Sequence, residues 1–213
     1  MTPRLVVAST NKGKITEIRR LLAGCAVEVV GLDAYPEAPE LPEPYDTFAE
    51  NAGSKALTAA GYCAANGGEL GSSPHASSEV CLALADDSGL EVAALGGRPG
   101  VLSARYAATD AERIARLLEE MKGLAGEARR AQFVCAIALA REGQLLGLWQ
   151  ERCEGMIAEA PRGEQGFGFD PVFLYGERTF AELSSEEKNA VSHRGKAMRA
   201  FAADFAEMIH DLT

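Results

Sequence analysis

The stretch VCLALADDSGLEVAALGGRPG, residues 80–100, places two adjacent carboxylates directly after an apolar run. The run Val80–Asp86 predicts a buried strand, because a short apolar run bounded by turn residues is typical of strands covered on both faces. Asp86 and Asp87 would then stand at the carboxyl end of this strand, where α/β folds place their ligands. Since like charges repel each other, the pair requires a positive partner. The stretch therefore predicts an α/β fold with a polar site at the end of this strand.

A divalent cation is one candidate for the positive partner. The sequence offers oxygen ligands and no Cys/His cluster, which favours Mg²⁺ over zinc. Glu43, or a neighbouring acid of the proline-rich segment 36–45 (PEAPELPEPY), would complete the metal site. Two alternatives stay open at this point. In the first alternative, Asp86 caps a turn and Asp87 is solvated, because Asp-Ser-Gly is common in turns. In the second, one of the two acids is a phosphoacceptor.

The remaining chain mixes predicted strands with predicted helices, and no repeat is visible. Further strands are predicted for RLVVAS, VEVVGL, AQFVCAIALA and QLLGLWQERCEGMIA, the last two joined as a hairpin through residues 141–143. Helices are predicted for TNKGKITEIRRLLAG, TFAENAGSKALTAAGYCAAN, DAERIARLLEEMKGL and SHRGKAMRAFAADFAEMIHDL. In the second of these helices Thr47 and Glu50 form a capping-box pattern. The pattern indicates a mixed α/β protein, as one compact unit or two lobes.

The turn STNKGK, residues 9–14, leads from the first strand into a helix whose first turn carries Lys12 and Lys14. The positive charges of these lysines are unfavourable beside the positive end of the helix dipole. A bound phosphate would compensate for both positive charges. The turn is not a Walker A loop, because Ala8 and Ile15 stand where that motif requires Gly and Ser or Thr. Solvated lysines at an ordinary helix start are the alternative.

Two later stretches carry aromatic and basic residues. In QGFGFDP, residues 165–171, glycines flank Phe167 and precede Phe169. Either ring could stack on a flat base, a contact that contributes about 1–3 kcal/mol, and packing in the core is the alternative. In EEKNAVSHRGKA, Lys188 precedes His193 and Arg194 at what the sequence predicts to be a capped helix start. Donors clustered there suit carbonyl or phosphate recognition, with a surface basic cluster as the alternative.

Composition narrows the classes of partner. The 213 residues include 31 acidic and 21 basic ones, a formal charge of −10 that disfavours binding to nucleic acid. A small anion is still compatible, since local lysines and helix N-termini outweigh distant charge. The five cysteines are odd in number and include no CxxC motif, which favours reduced thiols in a cytoplasmic protein. No apolar stretch reaches the roughly 20 residues of a membrane span, so no membrane partner is expected.

Together the motifs resemble the Ham1/RdgB-type family of noncanonical purine nucleoside triphosphate pyrophosphatases, the dITP/XTP (inosine triphosphate) pyrophosphatases. The resemblance runs from Ser9 to Ala197 through five blocks in family order, which are STNKGK, TFAENAGSKA, ADDSGLEVAALGGRPGVLSARYA, GFGFDP and AELSSEEKNAVSHRGKA. It implies one domain over residues 1–213, with an elongated two-lobed mixed-sheet α/β fold and a central substrate cleft. It also implies hydrolysis of ITP, dITP or XTP to the monophosphate and pyrophosphate, with Mg²⁺, by a cytoplasmic homodimer.

The resemblance also implies roles for individual residues. Asp87 matches the catalytic acid and a metal ligand, and Glu43 is the candidate for the second metal ligand. The residues that match substrate contacts are Ser9, Thr10, Asn11, Lys12, Gly13, Lys14, Ser88, Phe167, Gly168, Phe169, Asp170, Lys188, His193 and Arg194.

The chain departs from the family pattern in three places. Phe169 stands where the family usually has Tyr, so that a hydroxyl contact is lost while stacking is retained. LPEPYDTF stands where the family has a Glu-rich stretch ending in Thr-Gly, and Glu43 is the acid of this stretch that is the candidate metal ligand. The Gly/Ser-rich loop of residues 67–78 resembles an insertion. Competing classes are a non-catalytic nucleotide-binding regulator and a Maf-type hydrolase, the latter without the SHR block.

Overall fold

The computed structural model describes residues 3–9, 12–35, 38–66 and 81–212. Two predicted substrate contacts, Thr10 and Asn11, lie outside the described residues, as does the predicted insertion 67–78. The strands are β1 (Arg4–Val7), β2 (Glu28–Gly31), β3 (Cys81–Val92), β4 (Arg130–Arg141), β5 (Gln144–Ile157), β6 (Phe173–Tyr175) and β7 (Arg178–Thr179). The α-helices are α1 (Lys12–Leu21), α2 (Phe48–Asn66), α3 (Asp110–Glu120), α4 (Ser185–Val191) and α5 (His193–Leu212).

The seven strands form one mixed sheet in the order β2-β1-β3-β4-β5-β6-β7. β1 pairs in parallel with β2 on one side and with β3 on the other. β6 pairs antiparallel with β5 and with β7. The predicted mixed α/β class is therefore confirmed. No helix in the described ranges combines the length and the apolar composition that a membrane span requires.

Local sequence rules hold at several element ends. The predicted hairpin is confirmed, because only Glu142 and Gly143 separate β4 from β5, with φ of 46° and 81° respectively. Positive φ at both turn residues is typical of the tight turn that matches strand twist. Thr47 caps α2, since the N–H of Glu50 donates to its Oγ1 at 3.2 Å. Both predictions depend only on neighbouring residues.

The prediction that the third strand ends at the two acids is wrong. β3 continues to Val92, so that Asp86 and Asp87 lie within it. The reason is that Leu90 and Val92 are fully buried in a hydrophobic core, which extends the alternating pattern beyond the Ser-Gly pair. It is β1 that ends early, because its last residue Val7 pairs with Leu84. The acids therefore lie just beyond the end of β1.

The chain divides into two compact units. The first consists of residues 1–87, 136–150 and 197–213, and the second of residues 88–135 and 151–196. β3 passes from the first to the second between Asp87 and Ser88. Buried hydrophobic residues of the first unit include Leu5, Val6, Ala56, Leu82, Phe201 and Phe205. The core of the second includes Leu90, Leu117, Phe133, Phe173 and Phe180.

Candidate active site

The two adjacent carboxylates each meet a different lysine. Successive side chains of a strand leave on opposite faces, so Asp86 and Asp87 are separated although they are neighbours in sequence. Nζ of Lys14 lies 2.7 and 2.9 Å from the two carboxylate oxygens of Asp86. Nζ of Lys55 lies 3.2 Å from Oδ1 of Asp87. The structure thus provides each negative charge with its own positive partner.

Lys55 is a buried ammonium that bridges two acids. Besides Asp87, it contacts Oε1 of Glu43 at 2.7 Å, and only 7% of the residue is exposed. Burial alone would lower the pKa of Lys55, but the negative charges of Asp87 and Glu43 raise it above the ordinary value. The lysine is therefore held in its charged form between the two carboxylates.

Asp87 keeps one carboxylate oxygen uncommitted. The residue is 6% exposed, and its buried Oδ2 has no hydrogen-bond partner among the residues that the structure describes. Burial is the main cause that raises the pKa of Asp87 to about 6; Lys55 opposes this rise and Glu43 adds to it. A buried anionic oxygen without a donor is costly, which makes it suited to receive a proton or a cation.

The segment that carries Glu43 is held in place by Asn51 of α2. This fully buried asparagine donates from Nδ2 to the carbonyl of Tyr45 at 3.1 Å and accepts from the N–H of Tyr45 at 3.0 Å. Asn51 and Lys55 are four residues apart and share a helix face with buried Ala52, Ala56, Ala59 and Cys63. Sequence reasoning missed both residues, although two polar residues on an otherwise alanine-rich buried face were the signal that could have identified them.

The residues present fit a magnesium ion that is shared with a substrate. The described part of the chain contains no group of three or more His, Cys, Asp or Glu side chains arranged to hold a metal. Mg²⁺ commonly binds one or two carboxylates and takes its remaining ligands from water and substrate phosphates. Two carboxylates are available, those of Asp87 and Glu43, because both contact Nζ of Lys55 and Oδ2 of Asp87 is uncommitted. The metal role of both stays a prediction.

The predicted phosphate turn sits at the start of α1. The helix begins at Lys12, which is exposed, and its first turn includes Gly13 and Lys14, as the sequence predicts. Ser9 precedes it and donates its N–H to the carbonyl of Val7 at 2.7 Å. Because Lys14 pairs with Asp86, Lys12 is the more exposed of the two lysines. Contact of this turn with a phosphate remains a prediction.

A second group of predicted residues surrounds Phe167. Asp170, 3% exposed, accepts from the N–H of Phe167 at 2.8 Å and from Nζ of Lys188 at 2.5 Å. Gly166 is required here, since its φ is +80° and an added Cβ would lie 2.1 Å from Oδ2 of Asp170. The carboxylate therefore closes a tight loop on which the Phe167 ring is presented.

The structure distinguishes the two phenylalanines of this loop. Phe167 is 57% exposed, and its ring centroid lies 5.1 Å from Nζ of Lys188 and 5.7 Å from Cζ of Arg194. Phe169 is buried and packs edge-on against Tyr106, with 6.2 Å between the ring centroids. Of the two candidates for stacking on a base, the structure favours Phe167, and Phe169 belongs to the core.

The start of α5 brings three further predicted residues into place. Ser192 caps this helix, since the N–H of Gly195 donates to its Oγ at 3.1 Å, which confirms the predicted capped start. Arg194 donates from Nη2 to Oγ of Ser88 at 2.8 Å. His193 is buried and stacks on Phe133, with 4.7 Å between the ring centroids. Arg194 and Ser88 thus lie together, whereas the imidazole faces the aromatic core.

Comparisons with known proteins agree on one family. The model of the Ham1 family matches residues 5–204. The dITP/XTP pyrophosphatase of Geobacillus kaustophilus is 46% identical over 210 residues, covering 96% of this chain and 95% of that protein. The dITP/XTP pyrophosphatase of Gloeobacter violaceus is 48% identical over 197 residues, covering 92% and 90% respectively.

Solved structures give the same result for the fold. A HAM1 protein from Coxiella burnetii superimposes with a TM-score of 0.84 at 38% identity, covering 96% of this chain and 99% of that one. A Ham1 protein from Staphylococcus aureus superimposes with a TM-score of 0.80 at 33% identity, covering 96% and 99%. By sequence and by fold, this chain belongs to the Ham1 family.

Proposed function

We propose that this protein hydrolyses the noncanonical purine nucleoside triphosphates ITP, dITP and XTP to the monophosphate and pyrophosphate, and so removes them from the nucleotide pool. Membership of the Ham1 family and relatives named dITP/XTP pyrophosphatase support the proposal. The observation that carries it is the buried carboxylate of Asp87, whose Oδ2 has no partner in the described chain.

Asp87 is the general base of the proposed reaction. Its Oδ2 accepts a proton from a water molecule as the water oxygen attacks the α-phosphorus of the substrate. The bond between the α-phosphorus and the oxygen that bridges to the β-phosphorus breaks, and this oxygen leaves with pyrophosphate. In the metal-free protein the pKa of Asp87 is about 6, so the carboxylate is ionised at neutral pH and still basic enough to take a proton. Lys55 occupies Oδ1, and the two lone pairs of Oδ2 would serve the water and the proposed Mg²⁺ ion.

Mg²⁺ is the proposed cofactor, with Asp87 and Glu43 as its protein ligands. Such an ion polarises phosphoryl oxygens and offsets the charge that develops on them. The chain itself contributes the exposed ammonium of Lys12 at the start of α1, beside Ser9 and Gly13, as the proposed contact for the phosphates. The proton-accepting and phosphate-binding groups of this proposal all belong to the first unit.

The base is proposed to bind at Phe167 in the second unit, where its ring is exposed for stacking. The N–H groups of Phe167 and Gly168 are already taken by the carboxylates of Asp170 and Asp110, at 2.8 and 2.7 Å. We therefore propose side chains as the donors to a 6-oxo group. Lys188 and Arg194, both within 6 Å of the Phe167 ring centroid, are the proposed donors. ATP carries a 6-amino group, which is itself a hydrogen-bond donor and would leave these two side chains without an acceptor on the base.

Product identification tests the reaction. Purified protein is incubated with ITP and Mg²⁺, and the products are separated by ion-exchange chromatography, with the Asp87→Asn variant as control. Release of pyrophosphate and the monophosphate supports the proposal. Release of orthophosphate would indicate a different hydrolase, such as a Maf-type enzyme. Binding without turnover would indicate a nucleotide-binding regulator, and a phosphorylated aspartate would indicate a phosphoacceptor.

A cytoplasmic homodimer is the proposed working form. None of the five cysteines takes part in a disulfide in the described residues, which agrees with a reducing compartment. Light scattering after size-exclusion chromatography tests the assembly, because a dimer has twice the mass of the chain. A monomeric mass at micromolar concentration would contradict the assembly and leave the proposed reaction unaffected.

A further inference from the structure

The loop that presents Phe167 is tied to a residue far away in sequence. The N–H of Gly168 donates to Oδ2 of Asp110 at 2.7 Å, across 58 positions of the chain. We propose that Asp110 is a positioning residue for base recognition, which fixes the Gly168 amide and through it the exposed ring of Phe167. This inference rests on the proposed function.

The loop needs such a tie because two of its residues are conformationally permissive. Gly166 and Gly168 have φ of +80° and +61°, a region that glycine enters without steric cost. The hydrogen bonds between Phe167 and Asp170 span only three residues, so they close the turn without attaching it to the rest of the unit. Attachment at its two ends comes from the N–H of Gln165, which donates to the carbonyl of Ala181 at 3.1 Å, and from Lys188, which binds Asp170. Between these ends, Asp110 binds the amide of Gly168.

The bond from Gly168 acts on the direction of the Phe167 side chain. Its N–H belongs to the planar peptide unit that also contains the Phe167 carbonyl. The direction of this N–H therefore restrains ψ of Phe167 and, with it, the direction of the Cα–Cβ bond that carries the ring relative to this peptide plane. On the other side of Gly168, Phe169 is anchored in the core against Tyr106. Asp110 thus holds the first of the two peptide planes that lie between the exposed ring and the buried ring.

Asp110 is well placed to hold that plane. It is the first residue of α3, whose start is closed by a reciprocal capping box between Thr109 and Glu112. Its other oxygen, Oδ1, pairs with Nη1 of Arg113 at 2.5 Å, and Arg113 is itself bonded to the carbonyl of Ala107. Oδ2 is left for Gly168, as a charge-assisted acceptor. A ring fixed in advance avoids the ordering cost that base stacking would otherwise carry.

The test compares three variants with the parent protein. Asp110→Ala removes the acceptor, and Asp110→Asn keeps one neutral oxygen acceptor of the same shape. Glu119→Ala removes an exposed acid of the same helix while retaining Asp110 and its helix cap. Hydrogen exchange of the segment 163–170, followed by mass spectrometry, reports on the Gly168 amide without any need for activity. Steady-state kinetics with ITP then separates KM from kcat, and thermal melting confirms that each variant is folded.

We expect faster exchange of this segment in Asp110→Ala and a KM for ITP raised about tenfold, in line with a lost bond to a charged acceptor, with kcat within about twofold of the parent. Asp110→Asn should lie between the parent and Asp110→Ala, and Glu119→Ala should keep the parent exchange and KM. Unchanged exchange and KM in Asp110→Ala overturn the inference, and so does an equal rise of KM in Glu119→Ala. If Asp110→Ala does not fold, Asp110→Asn with parental exchange and KM overturns the inference.

A parent protein that does not turn over ITP refutes the proposed function. Hydrogen exchange still decides in that case whether Asp110 holds the loop.

Discussion

The ammonium of Lys55 and the carboxylate of Asp87 form a buried ion pair, with 3.2 Å between Nζ and Oδ1, in which only one of the two carboxylate oxygens is used. The pair explains how a buried acid stays available for chemistry. The ammonium of Lys55 holds Asp87 in place, and it also contacts Glu43, with 2.7 Å between Nζ and Oε1. Burial outweighs the single lysine, so the pKa of Asp87 is raised to about 6 rather than lowered.

Replacing the acid by its amide should remove catalysis and preserve the fold. We expect Asp87→Asn to lower turnover of ITP by at least about a thousandfold, because the amide keeps the shape and cannot take a proton. Steady-state rates and thermal melting are measured on the same preparation. Turnover within about tenfold of the parent, equivalent to about 1.4 kcal/mol, would contradict the role of Asp87 as base.

Removing the shared lysine should destabilise the protein. Lys55→Met keeps most of the side-chain volume but removes the charge that the buried Asp87 and the partly buried Glu43 share. We expect a loss of about 3 kcal/mol in the free energy of unfolding, measured with urea, as is typical for a broken buried ion pair. The matched control is Lys122→Met, whose partner Glu119 and own side chain are both about three-quarters exposed, and it should change stability by less than about 0.5 kcal/mol. Equal stabilities of the two variants would show that Lys55 is not energetically coupled to the acids.

The raised pKa of Asp87 predicts a pH-dependent stability in metal-free buffer. Between the ordinary value of 3.8 and about 6 the folded protein holds the Asp87 proton more firmly than the unfolded chain does. The contribution of this group to stability therefore falls as pH rises through that window, and it stays low above it. Asp87→Asn carries a neutral side chain and escapes this loss. The melting temperature of the variant minus that of the parent should become more positive from pH 4 to pH 7. A difference that is constant or declines over this range would contradict the assigned pKa shift.

Catalysis should require a divalent metal ion. Removal of metals with excess EDTA should abolish pyrophosphate release, and added Mg²⁺ or Mn²⁺ should restore it, because carboxylate and phosphate oxygens are the ligands available. Glu43→Gln should raise the Mg²⁺ concentration needed for half-maximal rate. Full activity in EDTA would exclude the metal-assisted mechanism, and a parental Mg²⁺ requirement in Glu43→Gln would remove Glu43 from the metal site.

Arg194 should contribute to the choice of base. Its guanidinium group lies 5.7 Å from the ring centroid of Phe167 and is oriented by Ser88. We expect the parent to have a higher kcat/KM for ITP than for ATP and GTP, and Arg194→Ala to reduce the preference over ATP. Rejection of GTP must involve its 2-amino group, since GTP shares the 6-oxo group. Equal losses of kcat/KM on ITP and ATP would place Arg194 on the phosphates instead of the base.

Features that depend on neighbouring residues were predictable from the sequence. Thr47 and Ser192 cap their helices, and Glu142-Gly143 forms the hairpin turn, because each depends on a hydrogen bond or a backbone angle within a few residues. The acidic pair Asp86–Asp87, the lysines at the start of α1 and the Phe167 loop were recognisable for the same reason, as short motifs.

Only the tertiary structure decided how these motifs are used. β3 runs past the acids because Leu90 and Val92 find a core made from distant strands and helices, which no local pattern announces. Lys55 meets Asp87 across 32 residues, and Asp110 meets Gly168 across 58. Phe167 and Phe169 each follow a glycine, yet one is exposed and the other buried. The N–H groups of Phe167 and Gly168 are held by the carboxylates of Asp170 and Asp110, so these contacts, and not the glycines themselves, set the backbone directions. A glycine permits many backbone directions, so the choice among them belongs to whatever packs against it.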